Sequence, residues 1–319
     1  MPPRHFLDIT DLRRNEVDQL LDDADRIRAQ EVTKNRTDPK ILDRDAVAFI
    51  TSKQSHRTDL SIKKAARFFG GDCAVSGQNA SLTEEGKQRE SLLSRVLSTE
   101  AQTYPIIFIR WGKHQELVDL LDKVKTSHIV NALTDDSHPL QALADIAAFR
   151  RAKGKNIDTG KPKIVFAGDG NNVATSLGEI TTTLGWNFVF AGPDERRIPD
   201  HRWARIQHLA KTFGGSAGHE KKMERAVEGA WLIYGDVFAS MGQKSDAKRL
   251  GELLKPYRVD ETVMERAGPQ ALYGHCLPAN EGEEVSTGVL YGPQSIAYEI
   301  AGARMDTTAA LIKLLLNRN

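Results

Sequence analysis

The sequence predicts an α/β protein of two doubly wound domains, each a parallel sheet with helices on both faces, with a C-terminal helix packing back on the first domain. Three observations carry this expectation. Short β-rich runs alternate with longer amphipathic segments along the chain, the pattern of strand–helix–strand units. The chain has 319 residues, long for one hydrophobic core and comfortable for two. A polar stretch carrying Gly and Pro, Lys153 to Pro162, stands before a fresh strand and marks a joint near residue 150.

Taken in order, the first helix is expected over Thr10–Ala29, where Val17, Leu20, Leu21, Ala24 and Ile27 fall on one face. A strand at Val47–Ile50 leads to a helix starting near Asp59. Strands at Ile106–Arg110 and Ile129–Leu133 flank a helix at His114–Lys125, and a helix at His138–Lys153 links the halves. The second half offers strands at Lys163–Gly168, Phe188–Ala191, Trp231–Gly235 and Leu272–His275, with helices at Asp200–Phe213 and Ala247–Leu254. The last apolar-periodic segment, Pro293–Leu316, crosses back and makes the first domain discontinuous. The expected domains are 1–150 with 293–319, and 151–292.

The bulk chemistry favours a small-molecule enzyme. Forty-four basic and 43 acidic side chains leave a net charge of +1, so no large field points to nucleic acid or a membrane surface. Two cysteines, Cys73 and Cys276, lie far apart in no metal-ligand spacing, which suits a reducing compartment. The sequence has neither a signal-peptide pattern at its start nor an apolar run long enough to span a bilayer, so the expected location is cytoplasmic.

Four constellations fall at strand ends or helix starts, where open α/β sheets place ligands. Ser55-His56-Arg57-Thr58 combines hydroxyls, a guanidinium and helix N-terminal N–H groups, which suits an anion site, although taken alone the commoner reading of such a cluster is an ordinary N-cap beside a solvated Arg. Arg110, then His114, then His138-Pro139-Leu140-Gln141 after Asn131-Ala132-Leu133-Thr134-Asp135 could hold a carbonyl oxygen and an amide NH₂; capping by His138 is the plain alternative. Gly168-Asp169-Gly170-Asn171-Asn172 is a Gly-rich strand-to-helix turn, but Val173 replaces the third Gly of a dinucleotide loop and no ribose-binding acid follows. A nicotinamide enzyme is therefore disfavoured; the two asparagines suit a substrate carboxylate instead. Asp236, in Asp236-Val237-Phe238-Ala239-Ser240-Met241-Gly242, suits a substrate ammonium. Cys276, in His275-Cys276-Leu277-Pro278, is either buried packing or a soft contact beside a reacting carbon.

Together these residues resemble the ornithine carbamoyltransferase family, within the wider aspartate/ornithine carbamoyltransferase superfamily, in order, spacing and context. The family's Ser-Thr-Arg-Thr-Arg motif is similar to Ser55-His56-Arg57-Thr58-Asp59; its Arg-x-x-x-His to Arg110–His114; its His-Pro-Cys-Gln to His138-Pro139-Leu140-Gln141. Its Asp-x-x-x-Ser-Met-Gly and His-Cys-Leu-Pro elements stand intact, and Arg304 stands where the family has an arginine near the start of the last helix. The resemblance runs from His5 to the end of that helix. The departures are His56, Asp59 and Leu140, all on the carbamoyl-phosphate side, and Asn280-Glu281 where the family often has basic residues.

The resemblance implies transfer of the carbamoyl group of carbamoyl phosphate to the side-chain amine of an amino acid, with L-ornithine giving L-citrulline and phosphate as the first reading. It implies a first domain for carbamoyl phosphate, a second for the amino acid, and no cofactor or metal. Carbamoyl phosphate would meet Ser55, His56, Arg57, Thr58, Arg110, His138, Gln141, Cys276, Leu277 and Arg304. Arg110, His138, Gln141, Cys276 and Arg304 carry the chemistry on this reading, while Asn172, Asp236, Ser240 and Met241 hold the amino acid. It further implies a homotrimer in which Arg89 is lent to a neighbouring subunit; the alternative is a solvated first-turn residue of a helix beginning at Glu90. A paralogue carbamoylating another amine and a catalytically silent relative stay open.

Overall fold

A computed structural model of the chain describes residues 3–77, 90–154, 157, 160–238 and 247–316. Its compact units are Met1–Leu143 with Ala303–Asn319, and Ala144–Gly302.

The first unit opens with helix α1 (Arg14–Thr33), which buries Val17, Leu20, Leu21, Ala24 and Ile27. Strand β1 (Ala46–Thr51) runs into α2 (His56–Phe68), followed by β2 (Asp72–Gly77), β3 (Ile106–Arg110), α3 (His114–Leu121) and β4 (His128–Leu133). The four strands pair in parallel in the order β2-β1-β3-β4. From β1 the chain goes first to one neighbour and then to the other, so the order reverses between β1 and β3. Residues past the carboxyl ends of those strands border the crevice that such a reversal opens. The core on this sheet draws on Ile50, Ile107, Ile109, Leu117 and Leu120.

Helix α4 (Pro139–Lys153) carries the chain across the 143/144 division, and the second unit continues with β5 (Lys163–Ala167), α5 (Asn172–Thr183), β6 (Asn187–Ala191), α6 (Asp200–Phe213) and β7 (Ser216–Glu220). Then come β8 (Leu232–Gly235), α7 (Ala247–Leu254), α8 (Glu261–Ala267), β9 (Leu272–His275) and α9 (Ala297–Leu316), which re-enters the first unit at Ala303. Five parallel strands stand in the order β7-β6-β5-β8-β9, so here the reversal lies between β5 and β8. Every residue of α5 from Val173 to Thr183 is buried, as expected of a helix covered on all sides. No described helix is long and apolar enough to cross a membrane.

The divisions differ from those the sequence suggested. The sequence placed the joint near residue 150, beside the polar stretch Lys153–Pro162, and the return at 293; the units part at 143/144 and 302/303, inside α4 and α9. A helix continues through such a break because its ladder of backbone hydrogen bonds does not depend on which core covers its side chains. Two strands were also missed, β2 and β7, and both are edge strands. Each is covered poorly, with Asp72 and Ser216 exposed, so neither shows the apolar run of a central strand.

Candidate active site

In the first unit, the chain leaves β1 and Ser55 becomes the N-cap of α2 in extended backbone (φ −149°). Its hydroxyl donates to Thr58 Oγ1 at 3.0 Å and accepts no hydrogen bond from the helix N–H groups. The first N–H groups of α2 carry the positive end of the helix dipole, which favours an anion there. Arg304, deep in α9, donates from Nη2 to Thr58 Oγ1 at 2.9 Å and from Nη1 to Gln141 Oε1 at 2.6 Å. One guanidinium thus joins α2, α4 and α9 around side chains that are all buried.

Arg110 ends β3, where the pairing with β4 slips: Ile109 faces Asn131 but Arg110 faces Leu133, leaving Ala132 as an extra residue. Such bulges re-aim a side chain at a strand end. The turn before His138 is fixed by a buried network. Asn131 Nδ2 donates to Ser137 Oγ at 2.8 Å and to the Leu7 carbonyl at 3.0 Å, and Thr134 N donates to the Ser137 carbonyl at 3.0 Å. His114 joins it through Nδ1 and Thr134 Oγ1 at 2.9 Å, so its part is to brace the strand ends. Burial first, then the positive charges of Arg304, Arg110 and Arg57, hold the His138 imidazole well below its usual 6.5. His138 is therefore neutral in the folded protein at physiological pH, and its neighbourhood is cationic.

The residues that depart from the family pattern have distinct fates. His56 is exposed. Asp59 accepts from Lys63 at 3.0 Å one turn on, so its charge is matched locally. Leu140 is buried apolar packing.

The second unit builds a cluster of opposite character. Gly168 takes φ +122°, a conformation side chains rarely adopt. Gly170 passes so close to the next connection that a Cβ there would lie 2.2 Å from the Ile198 nitrogen. Asn171 caps α5, its Oδ1 accepting from Val173 N at 2.9 Å and Ala174 N at 3.1 Å. Its Nδ2 donates to Asp236 Oδ2 at 2.7 Å. Asp236 Oδ1 accepts from the Cys276 thiol at 3.0 Å and from Val237 N at 2.8 Å. Asn171 is thus engaged through both its amide oxygen and its amide nitrogen in holding the helix start and Asp236, while Asn172 is the first residue of α5.

Behind Cys276, His275 Nδ1 accepts the Leu277 N–H at 2.8 Å, which assigns the ring proton to Nε2, 3.5 Å from Glu284 Oε1. Leu277 itself has φ +54°. Tyr234, below Asp236, donates to Asp145 Oδ1 at 2.8 Å; burial and that carboxylate raise the phenol well above its usual range.

The first unit therefore brings together Ser55, Thr58, Gln141 and Arg304 by hydrogen bonds, with Arg57, Arg110 and His138 in their field. The second brings together Asp236 and Cys276, with Leu277 next in the chain. Arg89, Ser240 and Met241 lie outside the described residues. Asn131, Thr134 and Ser137 went without a role in the sequence because their part is to hold neighbours, though the polar run Asn131–Ser137 between two elements was a signal.

Comparison with known proteins agrees with both halves. Residues 4–151 match the domain family described as "Aspartate/ornithine carbamoyltransferase, carbamoyl-P binding domain", and residues 161–315 match its "Asp/Orn binding domain". The chain belongs to the aspartate/ornithine carbamoyltransferase family. It is 35% identical over 318 residues to an ornithine carbamoyltransferase of Thermotoga petrophila, covering 98% of this chain and 97% of the relative. A Methanopyrus kandleri protein of the same name is 30% identical over 315 residues, covering 98% and 97%. The solved structure of an ornithine carbamoyltransferase from Pyrococcus furiosus superposes with a TM-score of 0.88 at 29% identity, covering 99% of this chain and 97% of that one. This carbamoyltransferase thus keeps the family's fold along its whole length.

Proposed function

We propose that this carbamoyltransferase moves the carbamoyl group of carbamoyl phosphate to the side-chain amine of L-ornithine, giving L-citrulline and phosphate. The observation that carries the reading is the division of charge: guanidinium groups and a helix N-terminus in the first unit, and a carboxylate joined to a thiol in the second. A dianionic donor suits the first set and an amino acid's ammonium the second.

On this reading Arg57, Arg110 and Arg304 neutralise the phosphate and the oxyanion that forms when the neutral amine attacks the carbonyl carbon. Ser55, the backbone at His56, and Thr58 add donors to the phosphate. Gln141 and neutral His138 orient the carbamoyl group. Asp236 receives the α-ammonium and Asn172 the α-carboxylate, with Ser240 and Met241 beside the amine and Cys276 and Leu277 near the carbonyl. The C–N bond forms, a proton leaves the amine, and the tetrahedral intermediate collapses by expelling phosphate. Preorganised positive charge at the oxyanion is worth several kcal/mol in such reactions. We extend the proposal to a homotrimer in which Arg89 completes a neighbour's donor site; light scattering on an active preparation checks it, and an active monomer contradicts it.

Steady-state assays with carbamoyl phosphate against a series of diamino acids of increasing chain length test the acceptor. The highest kcat/KM is expected with ornithine. A clear preference for another amine favours the paralogue, for which the drift at His56 and Asp59 is the specific observation, and turnover of none leaves a silent relative.

A further inference from the structure

We propose that Arg196 is a positioning residue for the amino-acid site, clamping the Gly168–Asn172 turn and matching the charge of Asp169 so that Asp236 is left for the substrate. The proposal rests on the reading of Asp236 as the ammonium anchor. Arg196 closes a short 3₁₀ turn, Asp194–Arg196, in the connection after β6. Its guanidinium meets Asp169 in a bidentate pair, Nε to Oδ1 at 2.8 Å and Nη2 to Oδ2 at 2.6 Å. Its own carbonyl accepts the Gly170 N–H at 2.8 Å, at the point where only a glycine fits against Ile198.

The clamp connects to the site through the chain. Asp169 O accepts from Asn171 N at 2.8 Å, and the Asn171 side chain then holds Asp236 at 2.7 Å. Asp169 is buried, and burial raises its pKa; Arg196 opposes that, while the nearby Asp236 adds to it. Two carboxylates thus sense each other in a poorly solvated place, and a single guanidinium offsets one of them. An exposed ion pair would contribute little, but this one is bidentate onto a buried partner, where removing one member leaves an uncompensated charge. Without Arg196, Asp169 would take up a proton or turn outward. Either response frees the turn that carries Asn171 and Asn172.

The test is the Michaelis constants of Arg196→Met, Arg196→Lys and the double variant Asp169→Asn/Arg196→Met, measured separately for each substrate with the intact protein. Arg196→Met should raise the amino-acid KM roughly 10- to 100-fold, as expected when a charge-assisted pair is broken, and leave the carbamoyl-phosphate KM unchanged. Lysine keeps the charge but not the fork, so it should recover part of the loss. The double variant should lie closer to the parent than Arg196→Met does, because the unmatched carboxylate is gone. An active parent whose Arg196→Met variant keeps its amino-acid KM, or loses affinity for both substrates alike, overturns the clamp alone. Should Arg196→Met fail to fold, Arg196→Lys and Asp169→Asn decide on the same split between substrates. A parent that carbamoylates no amino acid overturns the functional reading and the clamp together.

Discussion

The two units of the chain solve one geometrical problem with opposite charge. In each sheet the strand order reverses once, between β1 and β3 in the first and between β5 and β8 in the second, and the polar clusters stand just past those strands. In the first, Arg304 holds Thr58 in the first turn of α2, and burial together with the charges of Arg304, Arg110 and Arg57 keeps His138 neutral. In the second, two carboxylates, an asparagine that caps a helix and a thiol share one network. The fold dictates where a ligand binds, and the residues on the bordering loops dictate its charge.

The comparison breaks most visibly at Arg304. Arg304→Met removes the guanidinium that joins Thr58 to Gln141. We expect at least a ~100-fold loss of kcat/KM, the scale of losing a charged oxyanion contact. Near-parental turnover would show that the guanidinium is a strut only. Arg57→Ala should fall in the same range.

Asp236→Asn is the matching experiment on the other unit. It should raise the amino-acid KM roughly 10-fold or more while the carbamoyl-phosphate KM stays near the parent's. A rise confined to the carbamoyl-phosphate KM would reverse the assignment of the two clusters.

How much of this could be read from the sequence differs between the buried strands and the half-exposed ones. The central strand Ile106–Arg110 was legible to the residue because a buried parallel strand is a continuous apolar run, and so was Leu272–His275, an edge strand buried from Tyr273 to His275. The edge strands β2 and β7, half wet, carry Asp72, Ser76, Ser216, His219 and Glu220 and read as loops. The candidate site was legible where chemistry clusters in a few adjacent residues, as at Ser55–Thr58. Partners brought together by the fold, Arg196 with Asp169 or Arg304 with Thr58, lie 27 and 246 residues apart, and no local pattern connects them. Asn171 shows a subtler limit: an asparagine at a helix start is equally a cap and a ligand until its hydrogen bonds are seen.

His138 sharpens the comparison through stability rather than rate. Its folded pKa is depressed, so above the unfolded value near 6.5 both states are neutral and its contribution is whole. As pH falls below that value the unfolded chain takes a proton that the buried ring refuses, and the contribution is lost at up to about 1.4 kcal/mol per pH unit until the folded value is reached. Denaturant titrations from neutral to mildly acidic pH should show this slope, and His138→Asn should flatten it. An unchanged slope would mean that the ring is protonated in the fold. His5, also lowered by burial, is common to both proteins and cancels.

The smallest expected effect concerns the drifted motif. Asp59 is bonded to Lys63, and His56 is exposed at the first position of α2. His56→Thr should therefore tighten carbamoyl phosphate by only about 1 kcal/mol, the worth of one added hydroxyl donor. Asp59→Arg, which replaces a matched pair by two cations one turn apart, should add little more. Equilibrium titration of both variants with carbamoyl phosphate measures this, and weaker binding after His56→Thr would identify the imidazole as a ligand.

The most direct measurement follows the carbon itself. Carbamoyl phosphate labelled at its carbonyl carbon is incubated with the protein and L-ornithine, and the label is followed by NMR. The account predicts that it moves into the ureido carbon of citrulline as phosphate appears in equal amount, and that Arg304→Met and Asp236→Asn each slow its arrival. Label found only in the donor's spontaneous breakdown products, at the rate seen without protein, would contradict it.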